Sequence, residues 1–455
     1  MKIMLIHPTN YRVYDKVKKG RSKTPPMGIA YLAAVLRNSG FDVELFDAEA
    51  LNLSIDEIVE HVKQKNPDII GITCTTPLIY GAVEICNRIK ESNQRIVTIL
   101  GGPHISAMPR QTMELSEKID YIVLKEAEYS LLELIKALDE KTSVDDIKGI
   151  GYRKNNEIIV NSPRDLIENL DELPFPARDL LPQEKYIFVL PATERFIGRY
   201  GENFAVIISS RGCPYQCIFC DSCATFGKKV RLRTPKNVVD EIEDVVKEYN
   251  IRIFYIDDDT FTISKQRAID ICKEIISRKL DIAFLTTSRV NTIDDELSFW
   301  LKKAGCFMVN MGVEAGDERI LQVIKKSITK EQVRRAVESV HKYGMYTYLS
   351  FMIGNPEETE ETIQKTIDFA KELNPFHSQF SIAIPFPGTE LWEIAKQNNL
   401  IETEDFSKYM WYYSVVFVPK GLTKEKLLEL QKKAYEELGH AEEKKIDVID
   451  GSPLQ

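Results

Sequence analysis

Residues 211–220 read RGCPYQCIFC, and this stretch governs how the rest of the chain is read. It places Cys213, Cys217 and Cys220 in the spacing CxxxCxxC, directly after an apolar run at 205–209 with the character of a strand. Thiolates are the preferred ligands of iron–sulfur clusters. Three of them on one tight loop can hold three irons of a cubane, leaving the fourth iron open to an outside ligand. Zinc is the competing reading. A closed zinc site wants four ligands, usually in pairs such as CxxC…CxxC. Cys223 could supply a fourth thiolate, but no second pair follows downstream. Cys74, Cys86, Cys272 and Cys306 are scattered, too few in any one place for a second cluster. A disulfide framework would be spread over a shorter chain.

Downstream of the cysteines, apolar strands alternate with helical segments. The candidate strands are 205–209, 253–256, 283–286, 308–313, 346–352 and 380–384. Six βα units are too few to close as an eight-stranded barrel and predict an open, partial (β/α)6 barrel. Upstream, strands at 2–6, 43–46, 69–73, 96–100 and 121–124 alternate with helix-period segments at 28–38, 55–62, 80–89 and 130–138. That alternation predicts an α/β, Rossmann-like, doubly wound parallel sheet. Ligands of such sheets sit beyond the carboxyl ends of the strands. Those ends carry Pro8-Thr9, Thr73-Cys74-Thr75-Thr76, Gly101-Gly102-Pro103-His104 and Lys125-Glu126-Ala127-Glu128. No GxGxxG follows the first strand, so a dinucleotide is not expected. A hairpin is predicted at 151–163, turning at Asn155-Asn156. Pro174, Pro176 and Pro182 then break regular structure and mark a boundary. The expected organisation is a first domain at 1–140, a linker with the hairpin at 141–200, the partial barrel at 201–395 and a helical extension at 396–455.

Apolar residues make up 44% and charged residues 28% of the 455 positions, the balance of a soluble globular protein. The net charge of −9 argues against a nucleic-acid-binding surface. No window approaches the about 20 apolar residues of a membrane span. The N-terminal MKIMLIHPTN is too short in its apolar run for a signal peptide, so a cytoplasmic location is expected.

With the aromatic Phe219 before its last cysteine, the loop CxxxCxφC resembles the radical S-adenosylmethionine (SAM) superfamily. That resemblance implies a [4Fe–4S] cluster whose open iron chelates the methionine amino and carboxylate groups of SAM. It also implies reductive cleavage to a 5′-deoxyadenosyl radical, with electrons from a donor such as flavodoxin or ferredoxin. Further stretches resemble the superfamily's other motifs in order: Asp258-Asp259-Thr260-Phe261-Thr262, Ser288-Arg289, Gly312-Val313-Glu314, SFMIGNPE at 350–357 and PFPGT at 385–389. They imply that Phe219, Asp258, Asp259, Arg289, Glu314, Gly354 and Glu357 meet SAM.

Residues 23–36, KTPPMGIAYLAAVL, and 101–104, GGPH, resemble the cobalamin-binding domain fused to one large branch of these enzymes. The DxHxxG motif that gives histidine to cobalt in many cobalamin proteins is absent, and His104 stands in GGPHIS without it. Loops are therefore expected to hold the corrin, through Thr73, Thr75, Thr76, Gly101, Gly102 and Glu126, whose hydroxyls and backbone N–H groups can meet its amide side chains. The resemblance implies a methyltransferase that moves methyl from cobalt to an unactivated substrate carbon. The alternatives are a cyclase or rearrangement enzyme of the same branch, or a non-catalytic cobalamin- or metal-binding sensor. The substrate could be a peptide or protein side chain, a lipid, a tetrapyrrole or a small natural product. Tyr409, Trp411, Tyr412 and Tyr413 are aromatic enough to line its pocket and equally suited to a core.

Overall fold

The computed structural model describes residues 1–9, 23–188, 198–410 and 414–439. Two sheets organise the chain. The first contains β1 (Lys2–His7), β2 (Asp42–Asp47), β3 (Ile69–Thr73), β4 (Val97–Gly101), β5 (Tyr121–Val123), β6 (Ile150–Lys154) and β7 (Glu157–Val160), in the order β2-β1-β3-β4-β5-β6-β7. The first five strands are parallel. Strand β3, IIGIT, is buried along almost its whole length, as a strand covered on both faces must be. One of the covering helices starts where the sequence supplies a cap. Ser54 and Glu57 form a reciprocal capping box for the helix Ile55–Lys65, and Asn66 ends that helix in the left-handed region.

Strands β6 and β7 pair antiparallel, β6 against β5, so the hairpin expected in the linker instead widens the first sheet. Gly151 permits this. A Cβ at that position would lie 2.8 Å from Ile122 Cγ1. The strand order reverses between β1 and β3, which makes the carboxyl ends of these two strands the crevice in which open α/β sheets take their ligands.

The second sheet is the partial barrel. Strands β8 (Phe204–Ile207), β11 (Ile253–Ile256), β12 (Ala283–Ser288), β13 (Cys306–Glu314), β14 (Tyr346–Ile353) and β15 (His377–Ile382) lie in sequential order, all parallel and open between β8 and β15. Between β8 and β11, β9 (Ser210–Arg211) and β10 (Arg231–Leu232) form a short antiparallel ladder. Side chains alternate with the pleat. Ala205, Ile207, Phe254, Ile256 and Val309 pack against the outer helices. Phe204, Val206, Ile253, Leu285 and Met308 pack instead with Tyr186 and Phe188 of the linker and Ala30 of the first domain.

Buried charge ties linker and barrel together. Glu241, 1% exposed, accepts from Arg178 of the linker at 2.6 Å and from Arg233 at 2.5 Å. Tyr409 is 1% exposed among Phe386, Trp392 and Phe406, so it belongs to a small aromatic core. Trp411, Tyr412 and Tyr413 lie outside the described residues. Among the described residues, no helix is long and apolar enough to cross a membrane.

Removing one partner of a buried ion cluster leaves the others uncompensated, at a cost of about 3–5 kcal/mol. Glu241→Ala is expected to lower unfolding free energy by roughly that amount, read from the denaturant midpoint. A loss below about 1 kcal/mol would show that the cluster holds little.

Candidate functional site

The cysteine loop starts from the β9–β10 ladder. Gly212 has φ +90°, and a Cβ there would overlap the Lys229 carbonyl, so only glycine fits. The loop is anchored from below by Asp258, whose carboxylate accepts from Ser209 N at 2.6 Å, Ser210 N at 3.0 Å and Ser209 Oγ at 2.5 Å. Asp259 lies beside Gly212 and Ser222, and burial holds its carboxyl above the usual range.

Cys213, Cys217 and Cys220 are free and half-buried. Burial raises the Cys213 thiol and pushes Cys220 up to about 12. Ionised thiols at such a site need a compensating cation, and an iron–sulfur cluster is a group whose positive irons supply it. The donor set therefore fits the cluster. Among the described residues, no three His, Cys, Asp or Glu side chains close around a single ion. The Cys223 thiol turns to backbone, 3.3 Å from the Tyr215 carbonyl and 3.5 Å from that of Cys213.

Two polar side chains from strand ends, and Lys326 from the connection between the helices Glu318–Val323 and Lys330–Lys342, meet next to the loop. Arg289, at the end of β12, sets Nη1 3.7 Å from Cys217 Sγ, lies 3.6 Å over the Tyr215 ring and donates to the Lys326 carbonyl. Lys326 Nζ reaches Glu314 Oε1 at 2.8 Å. Glu314 ends β13 with φ +70°, a conformation uncommon outside glycine and frequent at functional sites. A Cβ on Gly312 would overlap this carboxylate. Phe219 packs against the barrel core.

Two expected residues stand apart from this group. Glu357 is exposed and pairs with Arg319 at 2.6 Å. Gly354 has φ +78°, and the space its missing Cβ leaves faces Leu427 of the terminal helix Lys424–Glu437, 3.3 Å away. It is the neighbouring Glu358 that is buried, at 1% exposure. Its Oε2 accepts from Asn355 N at 2.8 Å, Oε1 has no partner, and burial pushes the carboxyl up to about 8. In a Glu-Glu pair, the pattern alone does not say which one turns inward.

The concave face of the barrel carries a polar wall that sequence reading missed. Tyr255 OH meets Thr287 Oγ1 at 2.9 Å, and Tyr348 OH donates to Gln379 Oε1. Asn310 Oδ1 is buried without a partner. Asp257 remains exposed to solvent while protein encloses it on most sides, as expected of a concave wall, and desolvation pushes its carboxyl up to about 6. The available signal was the polar residue at every second position of otherwise apolar strands.

In the first domain, the loops after β3 and β4 interlock. Gly102 has φ +108°, and a Cβ there would lie 2.6 Å from the Cys74 carbonyl oxygen. Thr73 is half-buried at the end of β3, and Thr75 is exposed. Thr76 Oγ1 lies 3.2 Å from His104 Nδ1, and Gly101 ends β4. His104 is 2% exposed, stands edge-on to Phe406, and burial lowers it to about 4. Glu126 is engaged with other partners. It pairs with Arg231 at 2.6 Å and Arg211 at 3.2 Å, and accepts from Ile167 N at 2.9 Å.

Comparison with known proteins matches residues 17–135 to the B12 binding domain and residues 207–370 to the radical SAM superfamily. An uncharacterized methyltransferase of Pyrococcus horikoshii is 38% identical over 96% of this chain and 92% of its own length. The anaerobic magnesium-protoporphyrin IX monomethyl ester cyclase of Rubrivivax gelatinosus is 34% identical over 94% of this chain and 76% of its own. The fold is shared with the radical S-adenosylmethionine methyltransferase TsrM of Kitasatospora setae, solved with cobalamin and a [4Fe–4S] cluster. The TM-score is 0.74 at 20% identity, covering 99% of this chain and 90% of that one.

Two outcomes follow from the geometry. After anaerobic reconstitution with iron and sulfide, Cys217→Ala should lack the brown chromophore and Cys223→Ala should keep it; the reverse would reassign the ligands. Glu358 carries a folded-state pKa raised from 4.5 to about 8. Its contribution to stability is therefore complete below about pH 4.5 and is lost as pH rises through about 8. Glu358→Gln should flatten that fall in melting curves, and an unchanged slope would mean another group titrates.

Proposed function

Because the chain belongs to the B12-binding branch of the radical SAM enzymes, we propose that it transfers a methyl group to an unactivated carbon of its substrate. The observation that carries this reading is the direct contact between the two halves. Arg211, two residues before Cys213, lies 2.6 Å from Glu128 and 3.2 Å from Glu126, at the end of the first sheet. A cobalamin domain docked this way brings its ligand edge to the cysteine loop. Cobalamin, when bound, supplies a transferable methyl group, and the cluster with SAM supplies one-electron cleavage and hydrogen abstraction.

Cys213, Cys217 and Cys220 would hold the cluster. Asp258 shapes the loop rather than facing a ligand, whereas Asp259, Arg289 and Glu314 border the space above it. Thr73, Thr75, Thr76, Gly101 and Gly102 would border the corrin. The polar wall of Tyr255, Asp257 and Asn310 would receive the substrate, a small molecule or a peptide side chain. A low-potential donor such as flavodoxin or ferredoxin would deliver the electron, in the cytoplasm. A ring-closing reaction is the second reading, favoured by the identity to the Rubrivivax gelatinosus cyclase.

The readings separate on products. With cluster, cobalamin, SAM and a strong reductant, methyl transfer yields S-adenosylhomocysteine alongside 5′-deoxyadenosine. 5′-Deoxyadenosine alone indicates cyclisation, and neither product indicates a sensor. Glu314→Ala should weaken SAM binding by about 1.5–3 kcal/mol, the worth of a hydrogen bond to a charged group. An unchanged dissociation constant would remove Glu314 from the cosubstrate site.

A further inference from the structure

The register of the partial barrel sets polar side chains in one row across adjacent strands of its concave face. Thr287 pairs with Asn310, Asn310 with Tyr348, and Tyr348 with His377. Asp257 opens the row, because Ile256 before it pairs with Thr286 before Thr287. One layer deeper on the same face, Leu285, Met308 and Tyr346 lie in register. Leu285 and Met308 pack there with Tyr186 and Phe188 of the linker. The apolar layer is a floor, and the polar row stands above it, below the strand ends that carry Arg289 and Glu314.

One corner of this row has more acceptors than donors. Tyr255 OH lies 2.9 Å from Thr287 Oγ1 and is also approached by Asp257 and Asn310. The hydroxyl hydrogens of Tyr255 and Thr287 serve this corner, and Asn310 Oδ1 is left buried with no partner among the described residues. No Lys or Arg among the described residues pairs with Asp257. The nearest cations of the cysteine-loop site are engaged elsewhere: Arg289 lies over the Tyr215 ring, and Lys326 holds Glu314. Burial, with the charges of Asp258 and Asp259, pushes the Asp257 carboxyl up to about 6, as expected of an anion that lacks a counterion. A buried acceptor is costly while unmet, and a desolvated carboxylate is stabilised by an incoming cation. The aromatic rings of Tyr255 and Tyr348 alongside also favour a cation over an anion. We infer that the substrate carries a protonated amine, received by the Asp257 carboxylate together with Asn310 Oδ1 and Tyr255 OH. The three N–H donors of one ammonium match these three oxygens. A substrate carboxylate or phosphate would meet like charge at the same place and is disfavoured.

The inference rests on the proposal that the polar wall receives the substrate, and it is tested by binding alone. Phenethylamine, 2-phenylethanol and 3-phenylpropanoate present a cation, a neutral hydroxyl and an anion on the same aromatic body. Each is titrated by calorimetry into the full chain, kept free of oxygen and saturated with SAM. The ammonium probe should bind at least about tenfold more tightly than the other two, as a hydrogen bond to a charged group requires. Asp257→Asn should bring the ammonium probe down to the level of the alcohol and leave the alcohol unchanged. Equal binding of the three probes, no binding by any of them, or a preference that survives in Asp257→Asn would overturn the inference. Ammonium binding that SAM abolishes would assign the carboxylate to the cosubstrate and overturn it as well. The preference in the unsubstituted chain is decisive even if Asp257→Asn fails to fold. Methyl transfer is judged separately, by S-adenosylhomocysteine formation, so either reading can fail while the other stands.

Discussion

Arg211 is a buried cation, 6% exposed, between two carboxylates of the first domain and the loop of the second. A guanidinium in that position is tolerable only while Glu126 and Glu128 stay in reach. Arg231 completes the set from the other strand of the short ladder. The root of the cysteine loop and the edge of the first sheet are thereby held in one register, and neither can shift without exposing unpaired charge to a low dielectric. Specificity of geometry is the return on a contact whose net stability is small.

From that root, the loop inherits its shape from backbone constraints. Gly212 makes the turn that no side chain permits, and Asp258 gathers the two serine N–H groups that precede it. Arg289 then links the middle cysteine to Lys326, and Lys326 to Glu314, so successive strand ends share one chain of polar contacts. A site built on the rigid ends of parallel strands is positioned by the core beneath them, here Phe254, Ile256 and Val309.

Much of this was legible in the residues. The alternation of strands and helices predicted both parallel sheets, because continuous β-branched runs such as IIGIT have no other comfortable home. The spacing of Cys213, Cys217 and Cys220 carried its own chemistry. What could not be read was orientation. The hairpin at 150–160 joins a sheet edge because Gly151 lets it approach, a tertiary fact. Glu126 and Asp258 sit at strand ends as expected, yet both are engaged with neighbouring chain, and Glu357 faces solvent beside the inward-turned Glu358. The row from Asp257 to His377 runs across strands and leaves no local motif.

The central claim is that three thiolates hold a cubane with one iron open to SAM. Electron–nuclear double resonance of the reduced, reconstituted chain tests it directly, using SAM labelled with 15N in the methionine amino group and 17O in its carboxylate. The account predicts hyperfine coupling from both labels to the cluster. A reduced cluster with neither coupling, or tetrahedral zinc in place of iron, would contradict it.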